Sequence, residues 1–400
     1  MAISSETPPD WPESPLPAAV VPDPSARDRL WASTMHGQAE SGPVPVHRAH
    51  RGAAPMPARF GLLDRSRREA AEAERLAPGA TRSHGAGQRA LAEAPDPVRT
   101  CFERDRDRIL HAPAFRRLAG KTQVFVFPAD HQRTRLTHAL EVAQVATANA
   151  DALGLNRALT EAIALGHDCG HGPGGHASED AFTPYLPDGY DHAVWGADVV
   201  LAPLNLCAET LDGVRNHSWS RPTPSTPEGE VVAWADRIAY VCHDFEDAVS
   251  AGIVSADELP ELVRQRCGER RSTQIAHFIA GVVEATTRTG SVSMTSELAD
   301  ALAAFRAFDY DRIYLRPASL AQADAVIRML RALVEHFAAV PTLLPGNGAV
   351  PLDVAAASPE AFRAAVTYVG GMTDRFACDQ AVSRLGWPPS QLPRGVDLAG

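Results

Sequence analysis

The chain has 400 residues, and its 38 Lys and Arg against 49 Asp and Glu give a formal charge of −11. A net-acidic surface repels phosphate on average, which argues against nucleic acid as the main partner, although a local basic cleft is compatible with it. Six scattered cysteines without a CxxC pair exclude a disulfide framework and a cysteine-based structural zinc site.

At this length, two or three domains are expected. Residues 1–60 hold 11 of the 32 prolines and few apolar runs, a composition that cannot offset its ordering entropy, so this stretch is expected as a disordered tail. It lacks the basic and apolar regions of a secretory signal, and no apolar run in the chain reaches the roughly 18 residues that span a bilayer. The expectation is therefore a cytoplasmic protein with no membrane partner.

Gln123–Phe127 (QVFVF) is the one strand-like stretch, and it is short enough to be a loop edge. Helical periodicity governs the rest. Leu136, Leu140, Ala143 and Thr147 share one face, and Asn156 is placed to cap a helix that ends at Gly166. Pro227 and Glu228 open a helix with Val231, Ala235, Ile238, Cys242, Phe245 and Val249 on its apolar side. Helical patterns at 298–308, 320–337 and 359–385 complete the series, separated by proline and glycine clusters. The predicted fold class is all-α, with one folded domain over 61–400.

The chemistry concentrates at Gly166–Glu179, where His167, Asp168, His171, His176 and Glu179 are punctuated by five glycines and a proline. Glycines let the backbone turn sharply enough for several side chains to converge. Imidazole nitrogen beside carboxylate oxygen suits a divalent ion such as Mn, Fe, Co, Ni or Zn. Farther on, Asp236, Tyr240, His243 and Asp244 form a polar stripe on a helix with a strong apolar face, as a helix lining a site would. A local excess of cations lies between residues 104 and 135, with eight Lys or Arg against three Asp. The alternating Asp-Arg run at 105–108 reads as a solvated helix face, whereas Arg135, Arg237 and Arg312 are candidates for holding phosphate.

The order His138, His167-Asp168, Asp236 resembles the HD-domain phosphohydrolases, and more narrowly the deoxyguanosinetriphosphate triphosphohydrolase-like family. The segments that carry the resemblance are DRDRILHAPAFRRLAGKTQVF (105–125), RTRLTHALEVAQ (133–144), HDCGHGPGGHASE (167–179), GYDHAVWGADVV (189–200), ADRIAYVCHDFEDA (235–248) and YVGGMTDRFA (368–377). Two departures stand out. Gly174 replaces the phenylalanine of the family's PFGH, and Arg237 follows Asp236 where an acidic residue is common.

The resemblance implies an HD-domain helical bundle, with its core at about 133–250 and additional C-terminal helices. It implies a divalent ion, Mn or Mg first, held by His138, His167, Asp168 and Asp236. It implies hydrolysis of dGTP or other deoxynucleoside triphosphates to deoxynucleoside and triphosphate, with His171, His176 and His192 as proton carriers and Glu179 orienting them. Gln123, Tyr240 and Asp244 match family positions near the deoxyribose. Homo-oligomers, dimers or hexamers, and an allosteric dNTP are further family traits. Two alternatives stay open at this point: an HD phosphohydrolase acting on nucleoside monophosphates or another nucleotide, and a weakly catalytic nucleotide sensor.

Overall fold

The computed structural model describes residues 24–33, 37–50, 52, 64–128, 131–344 and 354–394. Two compact units divide the chain near residue 62. In the first, α1 (Pro24–Ser33) is followed by an antiparallel hairpin, β1 (Gln38–Glu40) with β2 (Val46–Arg48), in which Gln38 opposes Arg48. These elements fall inside the segment expected as a tail, of which residues 1–23, 34–36, 51 and 53–60 lie outside the described residues.

Among the described residues, the second unit is built of helices joined by loops, with no strand. Helices α2 (Arg65–Arg75), α3 (Cys101–His111) and α4 (Pro113–Arg117) precede the pair α5 (Arg135–Leu153) and α6 (Arg157–Gly166). Short helices α7 (Ala177–Phe182), α8 (His192–Trp195) and α9 (Ala208–Asn216) lead to α10 (Pro227–Ser250). The series closes with α11 (Glu261–Cys267), α12 (Arg271–Thr289), α13 (Ser296–Asp309), α14 (Pro317–Ala339), α15 (Pro359–Gly370) and α16 (Asp374–Leu385).

Capping explains the register of the central helices. Thr134 and Thr137 form a reciprocal box at the start of α5, and Asn156 Oδ1 accepts from Leu159 N at 3.2 Å to start α6. Thr226 caps α10, with Pro227 in the first turn where its missing N–H costs nothing. Gly154, at φ +68°, closes α5 in the left-handed conformation and turns the chain back into α6.

Two apolar clusters organise the unit. One is built on α3, α5, α6 and α10 around Phe102, Val142, Ile163 and Ile238; the other is built on α14–α16 around Phe182, Leu330, Phe337 and Val366. The glycine-rich segment after α6 runs between them. Among the described residues, no helix is long and apolar enough to cross a membrane.

Three details depart from the sequence reading. The pattern at 359–385 is two helices, because Gly371 cannot sustain the first and Thr373 caps the second by accepting from Phe376 N. The 105–108 run is only partly solvated: Arg104, Arg106 and Arg108 pair with Glu93 and Asp107, but Asp105 is fully buried, accepting from Cys207 N and Thr210 Oγ1. Gln123–Phe127 is an irregular loop whose only ladder contact is the neighbouring Thr122–Thr134 bridge.

Candidate active site

Three helices bring one cluster together. His138 comes from the first turn of α5, His167 and Asp168 from the C-terminal end of α6, and Asp236 from the middle of α10. His138 Nε2 lies 3.0 Å from Asp236 Oδ1 and 3.9 Å from Asp168 Oδ2, while His167 Nε2 is 3.5 Å from Asp236 Oδ1 and from Asp168 Oδ1. His138, His167 and Asp168 are buried.

The protonation pattern of the cluster calls for positive charge. Burial works against both aspartates ionising, but Arg135 and the neighbouring histidines hold Asp168 well below the usual carboxylate range. Hydrogen bonds from His138 and His167 do the same for Asp236. Burial opposes the charged form of His167 too, yet the two carboxylates lift it to about 9. A proton on His167 thus does what a divalent ion does better, and binding an ion releases it.

The donor set fits such an ion on a second ground. His167 Nδ1 donates to Ala164 O at 2.6 Å, which turns its buried Nε2 toward the two aspartates, 3.5 Å from an oxygen of each, as the nitrogen an ion would take. Two imidazoles and two carboxylates suit a divalent metal of intermediate hardness.

A second cluster adjoins the first. His171, His176, Glu179 and His192 offer four ligand-type atoms within 4.8 Å of one another. Glu179 Oε1 accepts from His176 Nδ1 at 2.8 Å and lies 3.1 Å from His192 Nδ1. The His171 and His192 rings stack at 3.8 Å, and His171 Nε2 lies 3.2 Å from Asp168 Oδ1. Burial and the charge of Arg135 push His171 well below the usual histidine range, so its ring is neutral. Despite its own burial, Glu179 is held below the usual carboxylate range by His176 and His192.

Gly170 permits this approach. A Cβ there would sit 1.9 Å from His192 O, so only glycine lets the segment after α6 touch α8.

The same segment is strapped to the C-terminal helices. The buried Lys121 ammonium donates to His171 O and to Gly370 O, and Asp374 accepts from Thr122 N, Thr122 Oγ1 and Gly174 N. Burial, with Arg117 nearby, lowers Lys121 to about 7. Gly174, the departure from PFGH, has φ +73°, and a Cβ on it would meet Val326 of α14 at 2.4 Å. Val326 fills the space into which a side chain at 174 would project.

A cavity of about 420 Å³ opens beside both clusters. Of the residues expected from sequence, His138, Asp168, Asp236, His171, His176 and His192 line it on one side. Gln123, Arg135, Arg237, Tyr240 and Asp244 line the rest, while His167 and Glu179 stand just behind the wall. Arg135, which lines the cavity, donates through one Nη to Asp168 at 2.6 Å. Arg312 stays outside: it pairs with Glu258 and is half exposed. His243, part of the polar stripe, turns to α5, where Glu141 Oε2 lies 3.1 Å from its Nδ1.

Sequence reasoning missed four wall residues. His217, buried after α9, has Nε2 3.2 Å from His192 Nε2. Arg306 Nε donates to the Tyr240 hydroxyl at 2.7 Å, and the Tyr314 hydroxyl donates to Asp244 Oδ2 at 2.5 Å. Trp219 carries the Arg237 guanidinium 3.8 Å above its ring. Burial raises Asp244 to about 7 and Tyr240 to about 12.

Comparison with known proteins agrees with this arrangement. The HD domain model matches residues 135–241, and the phosphohydrolase-associated domain model matches 292–383. The chain is 38% identical to a deoxyguanosinetriphosphate triphosphohydrolase-like protein of Caldanaerobacter subterraneus, over 77% of this chain and 92% of that one. A protein of the same description from Clostridium perfringens is 44% identical over 56% of this chain and 70% of its own. One from Roseobacter denitrificans is 33% identical over 80% of this chain and 100% of its own. Among solved structures, a hypothetical protein from Aquifex aeolicus aligns at a TM-score of 0.45 and 16% identity, over 72% of this chain and 69% of that one. The chain belongs to the HD-domain family of deoxyguanosinetriphosphate triphosphohydrolase-like proteins.

Proposed function

We propose that the chain hydrolyses deoxynucleoside triphosphates to deoxynucleoside and triphosphate. One observation carries this reading: a single cavity joins the histidine–aspartate cluster to a tyrosine-lined end, with the guanidinium of Arg237 between them. A divalent ion, Mn or Mg by the family's habit, held by His138, His167, Asp168 and Asp236, supplies polarisation of the α-phosphate and neutralisation of its charge. Water attacks the α-phosphorus, the bond to the 5′ oxygen breaks, and that oxygen takes a proton.

Alkoxide is a poor leaving group, so the proton has to be delivered as the bond breaks. His192, stacked on the neutral His171 ring and beside Glu179, is the proton source in this reading, with His176 as the exposed relay to solvent. Arg237 neutralises the β- and γ-phosphates. Tyr240, fixed by Arg306, packs under the sugar and leaves no room for a 2′-OH, while Asp244 bonds the 3′-OH. The family's dimers or hexamers and an allosteric dNTP remain compatible with this scheme.

The test is a product balance. The Mn-loaded enzyme with each dNTP should release deoxynucleoside and tripolyphosphate in equal amounts. Pyrophosphate with monophosphate, or hydrolysis of monophosphates alone, overturns the proposal. Nucleotide binding without turnover under any metal makes the chain a sensor.

A further inference from the structure

The hydrogen-bond chain behind the second cluster fixes its tautomers. Val214 O can only accept, so His217 Nδ1, 2.8 Å away, carries a proton and the neutral ring presents a lone pair at Nε2. His192 Nε2, 3.2 Å from that lone pair, is then the protonated nitrogen. His192 Nδ1 faces Glu179 Oε1 at 3.1 Å, a contact that is satisfied when a proton or a metal ion sits on that nitrogen.

His171 repeats the pattern. Its Nε2 faces Asp168 Oδ1 at 3.2 Å, which draws the ring proton to that side and turns a bare Nδ1 toward Glu179 Oε1, 4.0 Å away. Both ring nitrogens of this residue are buried and complete no hydrogen bond. His176 Nδ1 reaches the same carboxylate oxygen from the cavity mouth, with its side chain 75% exposed. Three imidazole nitrogens and one carboxylate oxygen therefore converge on one point, a set that a metal ion can bind in place of the protons.

The geometry points to a second divalent-cation site at His171, His176, Glu179 and His192, selective for zinc-class ions and inhibitory when filled. Three nitrogens and one oxygen are a zinc donor set, and tetrahedral bonds of about 2.0 Å need ligand atoms roughly 3.3 Å apart. The four atoms already lie within 4.8 Å of one another, and the exposed His176 is free to adjust. The His192–His217–Val214 chain is the outer support that a ligating histidine requires.

Filling it removes the lone pairs that carry the proton for the 5′ oxygen. This inhibitory consequence rests on the proposed reaction; the binding of the cation does not.

The metal-stripped full-length protein, titrated with Zn²⁺ alone, should bind two equivalents per chain. His176→Ala and Glu179→Gln should each bind one, and that retained equivalent reports that the variant has folded. A single equivalent in the unaltered protein, two in both variants, or none in His176→Ala overturns the site. Adding one equivalent of Zn²⁺ to Mn-loaded enzyme should lower dNTP turnover at least tenfold while one Mn per chain stays bound. Unchanged or faster turnover with both ions bound overturns the inhibitory role. If no metal supports dNTP turnover, the proposed reaction fails, and the Zn²⁺ count still decides the second site.

Discussion

At one end of the cavity, His138, His167, Asp168 and Asp236 are held by each other's charges, with Arg135 behind them. At the other end, Tyr240, Asp244, Arg306 and Tyr314 are held mostly by hydroxyl hydrogen bonds. The first end is over-determined: each group's ionisation depends on its neighbours, so removing one leaves a buried charge without compensation. The second tolerates more change, because each tie there is a single hydroxyl bonded to an ionisable partner, worth about 1.5–3 kcal/mol. On the proposed reaction, the end that would handle phosphate has one acceptable composition, whereas the end that would meet the nucleoside can be retuned.

The sharpest way to break the contrast is to remove charge from the first end. The His167→Ala, Asp168→Ala double variant should lose its Mn and its turnover together, by more than the roughly 100-fold that a lost supporting residue costs. Mn content measured by elemental analysis decides this; retained Mn refutes the ligand assignment.

At the second end the expected effect is smaller and depends on pH. Burial raises Asp244 to about 7 in the folded chain, against about 3.9 when unfolded. Below about pH 4 the group is protonated in both states and costs nothing. As pH rises from there toward 7, the unfolded chain releases the proton and the folded one resists, so stability falls; above 7 the loss is constant. Asp244→Asn removes this term, so its Tm should gain on that of the unaltered chain between pH 4 and 8. A pH-independent difference in Tm contradicts the burial account.

The smallest effect belongs to Arg312→Ala. Its partner Glu258 lies outside the cavity, and an exposed pair is worth about 1 kcal/mol or less, with no change in turnover. A large loss of activity would put Arg312 back among the phosphate ligands.

Arg312 also shows where sequence reasoning stops. The capped and periodic helices α5, α6 and α10 were legible, and so were the histidines and aspartates that their caps and spacing bring forward. Arg312 looked equivalent to its neighbours on a helical pattern, but a π-helical turn at Tyr310–Tyr314 breaks the 3.6-residue register there. That turn sends Tyr310 and Tyr314 into the cavity wall and leaves Arg312 outside. His217 was invisible for a different reason. Nothing within Arg215–Trp219 marks it, and its place beside His192 comes from the packing of α9 against α8. Helix α12 was missed too, whereas α13 and α14, equally without a side-chain cap, were legible from their apolar periodicity.

The Lys121 and Asp374 straps have a consequence for how this chain can be divided. The HD match at 135–241 contains every residue of the first cluster, yet both anchors of the segment after α6 lie beyond it, at 121 and 370–374. The C-terminal helices are thus the outer jaw of a clamp whose inner jaw is the HD core. A fragment cut at the family boundary would keep the pieces of the centre and lose the grip that sets them.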